Sequence, residues 1–130
     1  MSLEGQFNAI YRGIVLDNKG DEKDPAKKGR VKVFIPGVYP DEFKDKPKAL
    51  PWAEPAEGLF GGNAPVDDPK PKVETGIAGW VSKNSWVWIF FEHGNPQYPI
   101  YFAACQGGDG WISEHNKQWT FKSHNVRIRV

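Results

Sequence analysis

Along much of this chain apolar and polar residues alternate with a period of two, the spacing of β-strands rather than helices. Over Gln6–Asp17, Phe7, Ala9, Tyr11, Gly13 and Val15 share one parity and Ile10, Ile14 and Leu16 the other, which predicts a first strand. Gly29–Ile35 (GRVKVFI) alternates Val31, Val33 and Ile35 with Lys32 and Phe34, predicting a second strand that Pro36-Gly37 stops. Between them, Asp17–Lys28 is a polar turn region with Gly20, Pro25 and charges of both signs. Ser85–Glu92 (SWVWIFFE) is the strongest strand signal, with Trp86, Trp88 and Phe90 on one face and Val87, Ile89 and Phe91 on the other. Both faces are apolar, so both need cover. The interior of a small barrel covers one, and something else must shelter the other. His93-Gly94-Asn95-Pro96 is then a turn, and Tyr98–Cys105 the return strand of a hairpin.

The remaining stretches are less regular. Eight of the eleven prolines lie between Pro36 and Gly79, which excludes one continuous element there. Within it, Ala49–Ala53 (ALPWA) is expected as a short edge strand, where proline is tolerated, and Gly58–Pro71 as part of a long loop. In the tail, Ser113–Gln118 is expected to make a helical turn, and Val126–Val130 (VRIRV) alternates as a half-buried strand with a basic outer face. About five strands plus a terminal one, long loops and little helix predict an all-β fold, a five-stranded barrel of the OB type. The expected division is residues 1–107 for the barrel and 108–130 for an extension, either a connector or an added strand.

Composition narrows the function. Eighteen aromatic residues exclude the disordered class, and 14 Gly with 11 Pro leave little room for long helices. Seventeen Lys+Arg against sixteen Asp+Glu give a net charge of +1, so no global field announces a polyanion partner. The single Cys105 rules out an internal disulfide framework and any multi-cysteine zinc module. No apolar run is long enough to span a membrane, and Met1–Gly5 lacks the basic-then-apolar pattern of a signal peptide.

Candidate chemistry is sparse. The acidic clusters Asp21/Glu22/Asp24, Asp41/Glu42/Asp45, Glu54/Glu57 and Asp67/Asp68 lie in Lys-interleaved polar loops, with no sign of the divergent carboxyl environments that acid–base catalysis needs. His93, His115, His124 and Cys105 show no metal-ligand spacing. Gly61-Gly62 and Gly107-Gly108 lack a following helix or a Lys-Ser/Thr partner, so they read as turns rather than phosphate cradles. No catalytic residue, cofactor or metal is therefore expected. The Trp86/Trp88 pair resembles a base-stacking platform, but Lys83 and Glu92 flank it, leaving the electrostatic term of nucleic-acid binding weak. The same aromatics suit the centre of a protein interface. Pro51-Trp52 reads as a core Trp plugging one barrel end, with an interface anchor as the alternative.

These residues, in this order, carry a family resemblance. Gly13-Ile14-Val15, then an acidic turn with Asp24-Pro25, Gly29-Arg30-Val31-Lys32-Val33, Pro36-Gly37, Leu50-Pro51-Trp52-Ala53, Trp86–Glu92 and Gly94–Ile100 are similar to the OB-fold domain of contractile-tail phage baseplate spike proteins. That group comprises the N-terminal domain of the T4-like central spike (the tail lysozyme) and its relatives in Mu-like and type VI secretion spikes. The resemblance covers roughly residues 7–107. Two positions depart from it: Asn84-Ser85 stands where the family has a glycine before the hairpin, and Gly94-Asn95-Pro96 replaces Gly-Asp-Pro. Asn tolerates a left-handed backbone, so the hairpin is expected to survive.

The resemblance implies a non-enzymatic, homotrimeric component of a baseplate hub or central spike, made in the host cytoplasm and placed in the virion tail. It would join a tail hub ring protein to a separate spike or needle protein. No lysozyme motif is present to carry that activity over, and neither a membrane nor a specific nucleic acid is an expected partner of this chain alone. The residues that carry the motif or would form interfaces are Gly29, Arg30, Val31, Pro51, Trp52, Trp86, Trp88, Phe90 and, in the tail, Ile128. The competing function is a single-stranded nucleic-acid-binding OB protein. The tail prediction is that Val126–Val130 docks as an added strand, on its own barrel edge as a sixth strand or on a neighbouring subunit or the spike.

Overall fold

A computed structural model of the chain describes residues 6–19, 29–56, 81–105, 120–122 and 127–129. Five strands close a small OB-like barrel: β1 (Tyr11–Asp17), β2 (Val31–Phe34), β3 (Trp52–Pro55), β4 (Trp86–Phe91) and β5 (Pro99–Ala104), in the order β1-β2-β3-β5-β4. All contacts between them are antiparallel except β3–β5, which is parallel. The alternation read from the sequence sets the interior. On β1 Gly13 and Val15 are buried, and on β2 Val31 and Val33 face the same core. On β4 Val87, Ile89 and Phe91 point inward while Trp86 and Phe90 face out. Phe34, Ile35 and Leu50 complete the best-buried part of the core.

One glycine is required by this closure. A Cβ at Gly13 would sit 2.5 Å from Val33 Cγ1 and 2.9 Å from Ile89 Cδ1, inside van der Waals contact with two other strands. The β4–β5 hairpin turns through a 3-10 segment, Glu92–Gly94, with His93 (φ 55°) and Gly94 (φ 70°) left-handed. Asn84, before the hairpin, takes φ 70°, and Asn84 N–H donates to the Val15 carbonyl (2.7 Å). The short polar side chain makes this left-handed conformation accessible.

Three expectations are corrected. The strand around Leu50-Pro51-Trp52 is not an edge: β3 lies inside the closed sheet between β2 and β5. Pro55 ends it, and the next donor, Ala56 N–H, bonds the Tyr101 carbonyl (2.8 Å), so proline costs the ladder little at a strand end. The first strand starts at Tyr11 rather than Gln6. The terminal strand is not a sixth strand of the barrel. β7 (Arg127–Arg129) pairs antiparallel with β6 (Thr120–Lys122) in a separate two-stranded sheet. The physical reason is closure: β1–β4 pairing leaves the barrel no free edge for a sixth strand. The expected helical turn at 113–118, the loop at 58–71, and Val126 and Val130 lie outside the described residues.

Candidate protein-interaction surface

The barrel's outer face across β1, β4 and β5 is apolar and open. Trp86 and Phe90 of β4 remain 38% and 37% exposed, and Phe102 of β5 is 42% exposed. Trp88, between them, is half-buried because the Arg12 guanidinium lies 4.8 Å over its ring. The two β1 residues that flank this row follow from register, since Arg12 pairs with Trp88 and Ile14 with Trp86. Phe102 reaches the stripe through a bulge. Trp88 opposes Ala103 and Ile89 opposes Tyr101, so Phe102 is the extra residue, and its ring lies 5.8 Å from that of Phe90. Exposed Ile10 and Tyr98 add further apolar surface close in sequence to these strands. Trp, Phe and Ile held on rigid strands lose little entropy when covered, which suits an interface centre.

A second group sits on the outside of β2–β3. Val31 and Ala53 pair facing inward, which puts Lys32 and Trp52, the next pair, on the outer face. Trp52 is half-buried rather than part of the core, and this corrects the expectation of a Trp plugging the barrel end. Leu50 and Ala53 fill the core there instead. The Trp52 ring carries Lys32 Nζ at 4.2 Å and the Arg30 guanidinium at 5.6 Å. Lys32 Nζ also donates to the Leu50 carbonyl (2.5 Å), which anchors it beside the ring. Gly29 is left-handed (φ 69°), and its carbonyl accepts from the Tyr101 hydroxyl (2.8 Å). Arg30 and Lys32 thus engage the Trp52 ring on the outer face, while Val31 between them faces the core.

Groups able to do chemistry are scattered. Cys105 is half-buried; burial pushes its thiol pKa up and the nearby Arg12 pulls it part of the way back. Burial holds the Tyr39 phenol protonated well above its ordinary range. Glu92, His93, Asn95 and Tyr98 line an open surface depression on the hairpin turn. Among the described residues no group of three or more His, Cys, Asp and Glu is placed to hold a metal ion.

Of the residues singled out from sequence, Trp86, Trp88 and Phe90 come together on one face, and Gly29, Arg30, Val31, Pro51 and Trp52 gather on β2–β3. Ile128 stands apart, opposite Phe121 in the β6–β7 sheet. Phe102, Ile10 and Arg12 were not singled out. The bulge that delivers Phe102 leaves no mark in the composition of Tyr98–Cys105. No family model matches the chain, and no curated protein matches it.

Proposed function

We propose that this chain is a non-enzymatic assembly module whose barrel is held in a larger particle by protein contacts. The observation that carries the reading is the outward row Trp86, Phe90 and Phe102, exposed on a closed barrel, with the Phe90 and Phe102 rings in contact and Trp88 between them under Arg12. A contiguous exposed apolar patch on a small domain marks a contact surface. The resemblance of the motifs around Gly29–Val33, Leu50–Ala53 and Trp86–Ile100 supplies the setting: the baseplate hub or central spike of a contractile phage tail, as a homotrimer between the hub ring and the spike. Purified chain mixed with the candidate hub and spike proteins should co-elute with at least one of them. Replacing Trp86 and Phe90 together by serine should abolish that complex without lowering the melting temperature by more than a few degrees. A complex that survives this double substitution refutes the stripe as the contact.

Single-stranded nucleic acid is the second reading, favoured by one observation: basic and aromatic side chains share the outer β2–β3 face, which OB-folds use for oligonucleotides. The two cations already over the Trp52 ring compete with base stacking there. Titration of a labelled oligonucleotide at low and moderate salt separates the readings: steep, salt-sensitive binding that Trp52→Ala removes supports this one.

A further inference from the structure

The residues that lead into β1 are held differently from the strands. Gln6, Asn8, Ala9 and Ile10 are exposed, and Phe7 alone among residues 6–10 is half-buried. None of the five belongs to a strand, since β1 begins at Tyr11, which pairs with Ile89. Among the described residues their backbone tie to the β4–β5 turn is Phe7 N–H to the Gly94 carbonyl (3.2 Å).

The Phe7 ring supplies the anchor. It lies edge-on to Tyr11 and to Phe91, at 6.1 Å between centroids in both cases. Tyr11 and Phe91 are themselves 5.3 Å apart, and Tyr39 meets Phe91 from 6.4 Å. Phe7 therefore caps an aromatic group that β1, the turn after β2 and β4 assemble without it. Gly94 makes room for the crossing: a Cβ there would meet Asn8 Oδ1 and, at 3.3 Å, the Phe7 carbonyl oxygen. Residues 7 and 8 thus pass directly over the left-handed turn at the end of β4.

We propose that residues 6–10 are a strap with one anchor, which opens while the barrel stays folded, and that the recess it uncovers on Tyr11 and Phe91 takes an aromatic side chain. Phe7 fills that place in cis. The proposal does not depend on the Trp86/Phe90/Phe102 stripe, because Tyr11 and Phe91 have the inward parity of β1 and β4, opposite to the stripe.

The energetics follow from where the strap is tied. A segment outside the ladder opens locally at small cost, because few backbone bonds break with it. Its departure leaves the Tyr11–Ile89 pairing and the Tyr39–Pro96 hydrogen bond in place, so the barrel and its hairpin keep their own supports. The uncovered rings then favour another ring at the same edge-on positions over water.

Native-state hydrogen exchange on the full chain tests the opening. The Phe7 amide should exchange at least about 100-fold faster than the Ile89 amide, at a rate that low denaturant leaves unchanged. A Phe7 amide that exchanges together with Ile89, with the same denaturant dependence, overturns the strap.

Phe7→Ala in the full chain tests the recess, with N-acetyl-phenylalanine amide as the probe. The variant should keep the circular dichroism of the wild type, and the probe should shift the Tyr11 and Phe91 ring resonances saturably. The wild type, its recess filled by Phe7, should need at least about ten-fold more probe for the same shift. No saturable shift in a folded variant, or equal shifts in both proteins, overturns the recess as a site. A variant that unfolds places Phe7 in the core and overturns the strap together with it.

Discussion

The Tyr39 hydroxyl donates a 2.6 Å hydrogen bond to the Pro96 carbonyl, tying the turn after β2 to the β4–β5 hairpin across 57 positions of sequence. Both groups are buried, and the Tyr39 ring packs edge-on against Phe91 with centroids 6.4 Å apart. The bond is therefore a long-range brace on the hairpin that carries the exposed stripe.

Tyr39→Phe keeps the ring and strands the Pro96 carbonyl, so it should cost about 1–3 kcal/mol, the usual penalty for a buried partner left unsatisfied. Urea denaturation measures it. Burial also raises the Tyr39 pKa above its unfolded value. A group with a raised folded pKa contributes stability that is fully present below the unfolded pKa and lost as pH rises above it. The wild type should thus weaken above about pH 10, and Tyr39→Phe should weaken less over that range. Parallel pH profiles for the two proteins would remove Tyr39 as the cause.

Gly13→Ala places a methyl against Val33 and Ile89, and should destabilise by about 1–3 kcal/mol through overpacking. Val33→Ala opens space at the nearest contact, so the double variant should be less destabilised than the sum of the singles. A double-mutant cycle by chemical denaturation reads the coupling, and strict additivity contradicts the close approach.

Trp52→Ala discriminates an outer Trp from a core one. With the ring outside the barrel between Lys32 and Arg30, its loss should cost about 1–2 kcal/mol, chiefly cation–π and partial burial. Phe34→Ala, 1% exposed in the core, should cost about 3–5 kcal/mol. Equal losses by thermal and urea unfolding would return Trp52 to the core.

Trp86→Ser and Phe90→Ser, being outward, should each shift barrel stability by less than about 1 kcal/mol, whereas Phe91→Ala on the same strand should cost about 3–5 kcal/mol. Melting curves of the three variants check the inward and outward assignment of β4.

By itself the sequence determined where strands form and which residues share a side of each. Tyr11, Gly13 and Val15, or Val87, Ile89 and Phe91, fall together because a strand repeats every two residues, a local property of the backbone. It also determined that β4 is apolar on both sides.

Only the tertiary structure decided which side of β4 is buried. Pairing Gly13 with Val87 and Tyr11 with Ile89 turns the aliphatic set into a narrow interior and leaves the larger Trp86 and Phe90 outside. It decided that β3 is interior, because a parallel contact between Glu54 and Ile100 joins residues 46 positions apart. It placed Trp52 outside by the same register, and Phe102 in the stripe through a bulge. It also denied the tail a place in the barrel, since five strands closing through β1–β4 leave no edge. Each of these depends on which strand lies beside which, a cooperative outcome of packing that no single segment encodes.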